Sequence, residues 1–438
     1  MRIAVVGGGY VGLVTGACFA ELGMDVAVVE SQPAKLSALL AGGIPIYEPG
    51  LDRLVAENVL SGRLTFGSDI TEAVVGAEAV FIAVGTPTKP DDGRADLSYV
   101  FAAAEQIADC LTDYTVIVTK STVPIGTGKR LIELIRARAP NLDFDIASNP
   151  EFLREGNAIE DFMQPDRVVI GTSSERARNI LKELYRPLDR TETPILFTGL
   201  ETAEMIKYAG NAFLAMKVTF INEIADLCEK LNANVHEVAQ GMGLDRRIGS
   251  RFLHPGPGFG GSCFPKDTLA LKFIAEDAGA PSQLVEATVA VNDARKIRMA
   301  ERVVEACDGS VLGKKIAILG LTFKPKTDDM RESASIPILQ HLVANGAIIQ
   351  AYDPEGMDQA KPLLPASVIY CMDAFDAARD ADALVVITEW NEFRALTPER
   401  LRELMAGNTI VDLRNIYDPA AMRRVGMRYS SIGRPELT

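Results

Sequence analysis

The sequence predicts an α/β protein, with two doubly wound Rossmann-like domains flanking a central helical region crossed by a long bridging helix. Three observations carry this prediction. The chain opens with an apolar strand, a glycine loop and a helical pattern. Short buried-strand patterns alternate with helical ones in both the first and the last third, which implies parallel sheets with helices on both faces. Between them, Glu201 to about Leu231 is apolar-periodic, without proline and with one internal glycine, which reads as one long helix or two abutting ones. A chain of 438 residues exceeds what one core organises. The expected limits are 1–198 for the first domain, 199–309 for the helical region and 310–438 for the last domain.

Composition narrows the function. Hydrophobic content of 47% with 24% charged residues describes an ordinary globular protein. With 45 basic and 59 acidic residues the net charge is −14, which argues against nucleic acid or an anionic membrane as partner. No apolar run approaches the roughly 20 residues needed to span a bilayer. Six cysteines without a CxxC pair or regular spacing read as reduced thiols of a cytoplasmic protein. None of the three histidines is spaced for metal, and no metal site is expected.

In chain order, Ile3 to Val6 is a buried-strand pattern running into Gly7-Gly8-Gly9-Tyr10-Val11-Gly12 and a helix through Leu22. A second strand, Val26 to Val29, ends in Glu30, 18 positions after Gly12. In this dinucleotide fingerprint Gly7 makes the turn, Gly9 admits the pyrophosphate to the helix N-terminus, and Gly12 lets helix pack on strand. Glu30 can accept from the ribose hydroxyls and would repel a 2′-phosphate, so NAD is the expected cofactor. Strands follow at Ala79–Val84, Thr115–Thr119, Phe144–Ala147 and Val168–Ile170. The loops holding Thr86 and Thr122 fall beyond strand carboxyl ends, where such sheets bind ligands, although ordinary turns would also fit.

Asn149-Pro150-Glu151-Phe152-Leu153-Arg154-Glu155 comes next. A helical turn here would put the Glu151 and Glu155 carboxylates on one face, where each raises the other's pKa; a solvated acidic face is the alternative. In the following helical segment Lys207 and Asn211 face the same way, among apolar residues that suggest burial and hence partners. Arg247 lies in a basic turn, either an anion site or plain surface. The most distinctive stretch is His254 to Asp267, in which a glycine- and proline-rich loop leads to Cys263, Lys266 and Asp267 at the start of a helical pattern. A helix N-terminus and a neighbouring ammonium both favour thiolate. The last third restarts at Lys315–Leu321, with helical patterns near 334–345 and 398–405 and strands near 348–352, 383–387 and 409–412. Its loop, Gly320 to Lys326, lacks the dinucleotide glycines, but its lysines suit phosphates.

Together these residues resemble the UDP-glucose/GDP-mannose dehydrogenase family, over nearly the whole chain and most specifically at Gly258-Phe259-Gly260-Gly261-Ser262-Cys263 followed by Pro265-Lys266-Asp267. The resemblance implies NAD-dependent, twofold oxidation of the sugar C6 hydroxyl of a UDP-sugar, UDP-glucose first, through thiohemiacetal and thioester on Cys263. It implies that Lys207 and Asn211 hold oxyanion charge, that Thr122 and Asp267 position water, and that Glu151 is the acid–base group. Cofactor contacts would be Gly7, Gly9, Tyr10, Val11, Gly12, Glu30, Lys35, Thr86, Thr122, Glu155, Lys266 and Arg331. Substrate contacts would be Glu151, Phe152, Leu153, Arg154, Glu155, Lys207, Asn211, Arg247, Phe252, Leu253, His254, Pro255, Gly256, Gly260, Phe323, Lys324 and Arg414. Arg247 would reach a neighbouring subunit's substrate, which implies a homodimer or larger homo-oligomer. Glu30 stands where the family commonly has Asp. GDP-mannose or an N-acetylated UDP-hexosamine would serve the same chemistry. A single-oxidation hydroxy-acid dehydrogenase, or a nucleotide-sugar sensor without activity, would leave the cysteine loop unused.

Overall fold

The computed structural model describes residues 1–89, 93–191 and 193–435. Strands β1 (Arg2–Val6), β2 (Asp25–Val29), β3 (Leu64–Gly67), β4 (Ala79–Ile82), β5 (Thr115–Thr119), β6 (Phe144–Ser148), β7 (Val168–Gly171) and β8 (Ile195–Thr198) form one sheet. Its order is β3-β2-β1-β4-β5-β6-β7-β8. Strands β9 (Lys315–Leu319), β10 (Ile348–Tyr352), β11 (Ile369–Tyr370), β12 (Ala383–Val386), β13 (Thr409–Asp412) and β14 (Arg428–Ser431) form a second, ordered β11-β10-β9-β12-β13-β14.

Alternation along the strands builds two cores per sheet, because successive side chains leave opposite faces. Ile3, Val5, Ala79, Phe81, Val116 and Val118 enter one cluster, whereas Ala4, Val6, Val80, Ile82 and Ile117 enter the other. In the second sheet Ile316, Ile318, Val385 and Val411 face one core, and Ala317, Leu319, Leu384, Val386 and Ile410 the opposite one. Two-sided burial is what near-continuous apolar strands signal.

The all-parallel expectation needs one correction. β6 and β7 pair antiparallel, through Ser148 and Gly171, and β8 runs parallel to β7. The edge strands β3 and β8 are short and only partly buried, so their sequences show little period.

The chain divides into two compact units, Met1–Gly210 and Asn211–Thr438. One unbroken helix, Leu200–Leu231, runs through the division and is 32 residues long. Lys207 and Asn211 are four residues apart on it.

Each sheet has its switch point where the order reverses, at β1/β4 and β9/β12. At the first, Gly7 has φ +113° and a Cβ on Gly12 would lie 1.8 Å from the Gly7 carbonyl oxygen. At the second, Asp353 follows β10 as Glu30 follows β2, but it is fully buried. One of its oxygens accepts from the Leu321 N–H (2.7 Å), the Thr322 N–H and hydroxyl (3.1 Å each) and the Trp390 indole (3.1 Å). Its loop is thus closed on its own carboxylate.

The Gly12–Gly7 approach gives a direct test. Gly12→Ala forces backbone against Cβ and should destabilise the protein by about 1–3 kcal/mol or more, seen as a lower denaturant midpoint together with weakened NAD binding. Unchanged values for both would show that the turn is not strained by a side chain.

Candidate active site

In the first unit, the helix Tyr10–Glu21 starts from Gly9, and the space a Gly9 Cβ would enter is open. The first N–H groups of that helix are the donors a pyrophosphate takes. Gly8 packs on Glu30, whose carboxylate oxygen would lie 2.8 Å from a Gly8 Cβ. Glu30 is buried and accepts from the Gln32 N–H at 2.7 Å. Thr86 and Thr122 come together, the Thr86 hydroxyl donating to the Thr122 carbonyl at 3.0 Å. Lys35 lies half-buried on the helix Pro33–Leu40. These residues fit NAD: an open glycine cradle at a helix N-terminus, with a carboxylate at the end of the second strand.

Glu48, which no sequence pattern marks, ties this cradle together. It is buried, takes the Tyr10 hydroxyl, and accepts from the N–H groups of Gly156 (2.6 Å) and Ala158 (2.7 Å). One carboxylate thereby fixes Tyr10 and the loop that carries Glu155.

The expected helical turn over Glu151–Glu155 is absent. The carbonyl that such a turn would offer to the Glu155 N–H, that of Glu151, is spent on Lys207, while Leu153 donates to the Glu151 carboxylate at 2.5 Å and Arg154 to Asp161 at 2.8 Å. Glu151 instead points to Lys207, whose ammonium donates to the Glu151 carbonyl (2.6 Å) and carboxylate (2.9 Å). Both side chains are buried. Burial alone would push the Glu151 carboxyl up. Lys207, the Leu153 N–H and Lys120 overcome it and hold the group below the usual carboxylate range. Mutual raising by Glu155 is therefore not how this acid is tuned. The Lys207 ammonium also stands 5.3 Å from the centre of the Phe152 ring. Arg154 is turned outward and forked onto Asp161.

In the second unit, Cys263 is the N-cap of the helix Phe264–Asp277. Its carbonyl accepts the Asp267 N–H at 2.8 Å, so both residues share the first turn. Asp267 is buried, and its two oxygens take the Asn211 amide (2.7 Å) and the Lys266 ammonium (2.7 Å). Burial pushes the thiols of Cys18, Cys228, Cys307 and Cys371 up, which leaves them inert. Cys263 is half-buried, stands at the positive end of a 14-residue helix, and is in no disulfide.

The loop before it is gripped from behind by residues that the sequence reading misses. Asn222 accepts from the Gly256 N–H (2.8 Å), and the Arg295 guanidinium donates to the Gly256 carbonyl (2.7 Å). Asn292 takes the Phe259 N–H (2.8 Å) and returns a bond to its carbonyl (3.1 Å). In front, the glycines allow close packing. A Cβ on Gly260 would lie 2.3 Å from the Glu332 carbonyl, one on Gly261 2.6 Å from the Phe323 ring, and one on Gly256 3.0 Å from the Arg414 guanidinium. Gly256, Gly260, Phe323 and Arg414 are thus brought together. Lys324 stands over the Phe323 ring, and Arg414 bonds the Phe323 carbonyl at 3.1 Å. Phe252 adopts φ +65°, a strained value for a bulky residue. Leu253 and Pro255 are buried beside it, and His254 is exposed. Arg247 and Arg331 are exposed and forked onto Asp245 and Asp329.

The Glu151–Lys207 pair predicts a change of sign with pH. In the native protein the depressed Glu151 contributes stability above the ordinary carboxylate pKa, lost as pH falls through its lowered value. Lys207→Met removes the main opposing charge, so burial should dominate and raise Glu151. The variant should then be stabilised on acidification from neutral, relative to the native protein, in melting temperatures taken between pH 4 and 8. Parallel pH profiles would show that the pair does not set the ionisation of Glu151.

Known proteins match this chain in three segments. Residues 1–189 match the NAD binding domain of the UDP-glucose/GDP-mannose dehydrogenase family, 201–294 its central domain and 317–419 its UDP binding domain. A UDP-glucose 6-dehydrogenase of Rhizobium meliloti is 58% identical over 438 residues, covering 100% of both chains. One from Bacillus subtilis is 47% identical over 437 residues, covering 100% of this chain and 94% of its own. The solved structure of a UDP-glucose dehydrogenase from Pyrobaculum islandicum superposes with a TM-score of 0.90 at 38% identity, covering 98% of this chain and 96% of that one. With its cradle, its capped cysteine and relatives matched from end to end, the chain belongs to the UDP-glucose/GDP-mannose dehydrogenase family.

Proposed function

We propose that this protein oxidises the C6 hydroxyl of UDP-glucose twice, giving UDP-glucuronate, with Cys263 as the covalent nucleophile. The observation that carries the reading is the single helix Leu200–Leu231. It presents Lys207 and Asn211 one turn apart, each held by a buried carboxylate, and the carboxylate holding Asn211 belongs to the first turn after Cys263.

NAD⁺, bound to the Gly7–Gly12 cradle with Glu30 at its ribose, would supply a hydride acceptor, one molecule for each of the two oxidations. The chain's own residues do the rest. The Cys263 thiolate forms a C–S bond to the aldehyde carbon, and Lys207 and Asn211 donate to the oxygen that gains charge. After the second oxidation the C6 carbon is a thioester. Water held by Thr122 and Asp267 adds to it, Glu151 takes the proton, and the C–S bond breaks to release the thiolate. A carboxylate held ionised accepts a proton only as the water attacks, which suits general-base assistance. The segment 310–438 would take the nucleotide, with Lys324 and Arg414 beside the loop of Phe252 to Gly260.

A homo-oligomer completes the reading. Phe213, Phe220 and Leu227 are exposed and recur every seventh residue on the long helix, which is the seam a second copy would cover. Arg247, exposed on its turn, would then be available to a neighbour's substrate. A cytoplasmic setting agrees with six cysteines outside any disulfide and with the absence, among the described residues, of a helix long and apolar enough to cross a membrane.

Two measurements test this. A panel of nucleotide sugars with NAD⁺ should give fastest turnover on UDP-glucose and two NADH per sugar acid. Cys263→Ala should abolish that turnover. One NADH per product, or a preference for GDP-mannose or an N-acetylated sugar, would overturn the reading. Phe213→Glu with Phe220→Glu should lower the sedimenting mass to that of a single chain; an unchanged mass would place the interface elsewhere.

A further inference from the structure

Lys120 closes β5 and is buried, yet among the described residues no carboxylate lies within ion-pair distance of it. Its ammonium donates to the Asn149 side-chain carbonyl (2.9 Å) and the Tyr185 hydroxyl (3.2 Å). Tyr185 donates to the same Asn149 oxygen at 2.5 Å. The Asn149 amide is spent on the Val169 carbonyl (2.8 Å), and its backbone N–H on the Thr119 carbonyl (2.9 Å). The rings of Phe162 and Tyr185 each stand 5.8 Å from the ammonium. A buried cation served only by neutral oxygens and rings is costly to keep. Asn149 is held on all sides, and Glu151 follows it by two residues. Lys120, Asn149, Glu151 and Tyr185 line one cleft of about 40 Å³, together with Phe152 and Arg167.

We propose that Lys120 is a positioning residue for Glu151: through Asn149 it fixes the turn that aims the carboxylate at Lys207, and its buried charge helps keep that carboxylate ionised. The inference rests on the acid–base role of Glu151 given above. The charged and titratable groups facing Lys120 are Glu151, which favours its charge, Lys207, which opposes it, and Cys18. Burial outweighs them and holds the ammonium well below the ordinary lysine value, at about 8. Lys120 therefore loses its proton just above neutrality. Glu151 then loses one of its cations, and Asn149 its strongest donor.

Lys120→Met should lower kcat roughly ten- to a hundredfold and lower KM with it, because slowing only the last chemical step lets the acyl-enzyme accumulate. It should also abolish a fall in kcat on the alkaline side near pH 8, and Lys120→Arg, which keeps its charge, should abolish that fall too. During turnover with UDP-glucose and NAD⁺, intact-protein mass should show acyl adduct accumulating on Cys263 in Lys120→Met, as in Glu151→Gln. Adduct in Glu151→Gln but not in Lys120→Met, with the alkaline fall unmoved, overturns the role of Lys120 and leaves that of Glu151 standing. Adduct in neither removes the role of Glu151 and the inference with it. Should Lys120→Met fail to fold, Tyr185→Phe removes one acceptor from the ammonium and should move the alkaline fall to lower pH; an unmoved fall overturns the proposal.

Discussion

The buried pair of Lys207 and Glu151 is the constraint on which the first half of the site depends. Neither charge could remain in so dry a place without the other. Their union fixes the start of the long helix against the chain that follows β6. The same helix then delivers Asn211 to Asp267, and Asp267 is itself the first-turn partner of the cysteine carbonyl. In each unit a polar side chain of this helix is thus held by a buried carboxylate, Lys207 by Glu151 and Asn211 by Asp267. Rigidity of this kind is what a site needs when charge appears on a substrate oxygen and must be met by donors already in place.

Polar side chains spent on backbone groups recur throughout. Glu48 holds Tyr10 and Gly156, Asn292 holds Phe259 through both of its backbone groups, and Arg295 and Asn222 hold Gly256. Asp353 does the same for the second glycine loop and closes it. The two sheets share a topology but treat the acid after the second strand differently. Glu30 spends one bond on a neighbouring N–H and leaves its cradle open, whereas Asp353 is consumed by its own loop. One architecture thereby yields one dinucleotide site.

Much of this was legible in the sequence where the signal is local. The glycines at positions 7 to 12 and the helix starting at Cys263 follow from spacing within a few residues, whereas the segment through Lys207 and Asn211 reads equally as one helix or two abutting ones, and the structure makes it one. The grip on the cysteine loop was not legible. Asn222 meets Gly256 34 positions on, Asn292 meets Phe259 33 positions back, and Arg295 meets Gly256 39 positions back. No periodicity marks a side chain whose partner is distant backbone. The Glu151–Glu155 turn misleads for a related reason: i,i+4 spacing suggests a helix, but the Glu151 carbonyl that such a turn would need accepts from Lys207, 56 positions on. Edge strands β3 and β8 escape notice because half-exposed short strands carry little pattern.

In the proposed reaction Glu151, held by Lys207, serves only the last step, after both hydrides have left. Rapid mixing of Glu151→Gln with saturating UDP-glucose and NAD⁺, followed by NADH absorbance, isolates that claim. The account predicts a burst of two NADH per Cys263 followed by almost no further turnover. A burst of one, or steady turnover at the native rate without a burst, would contradict it.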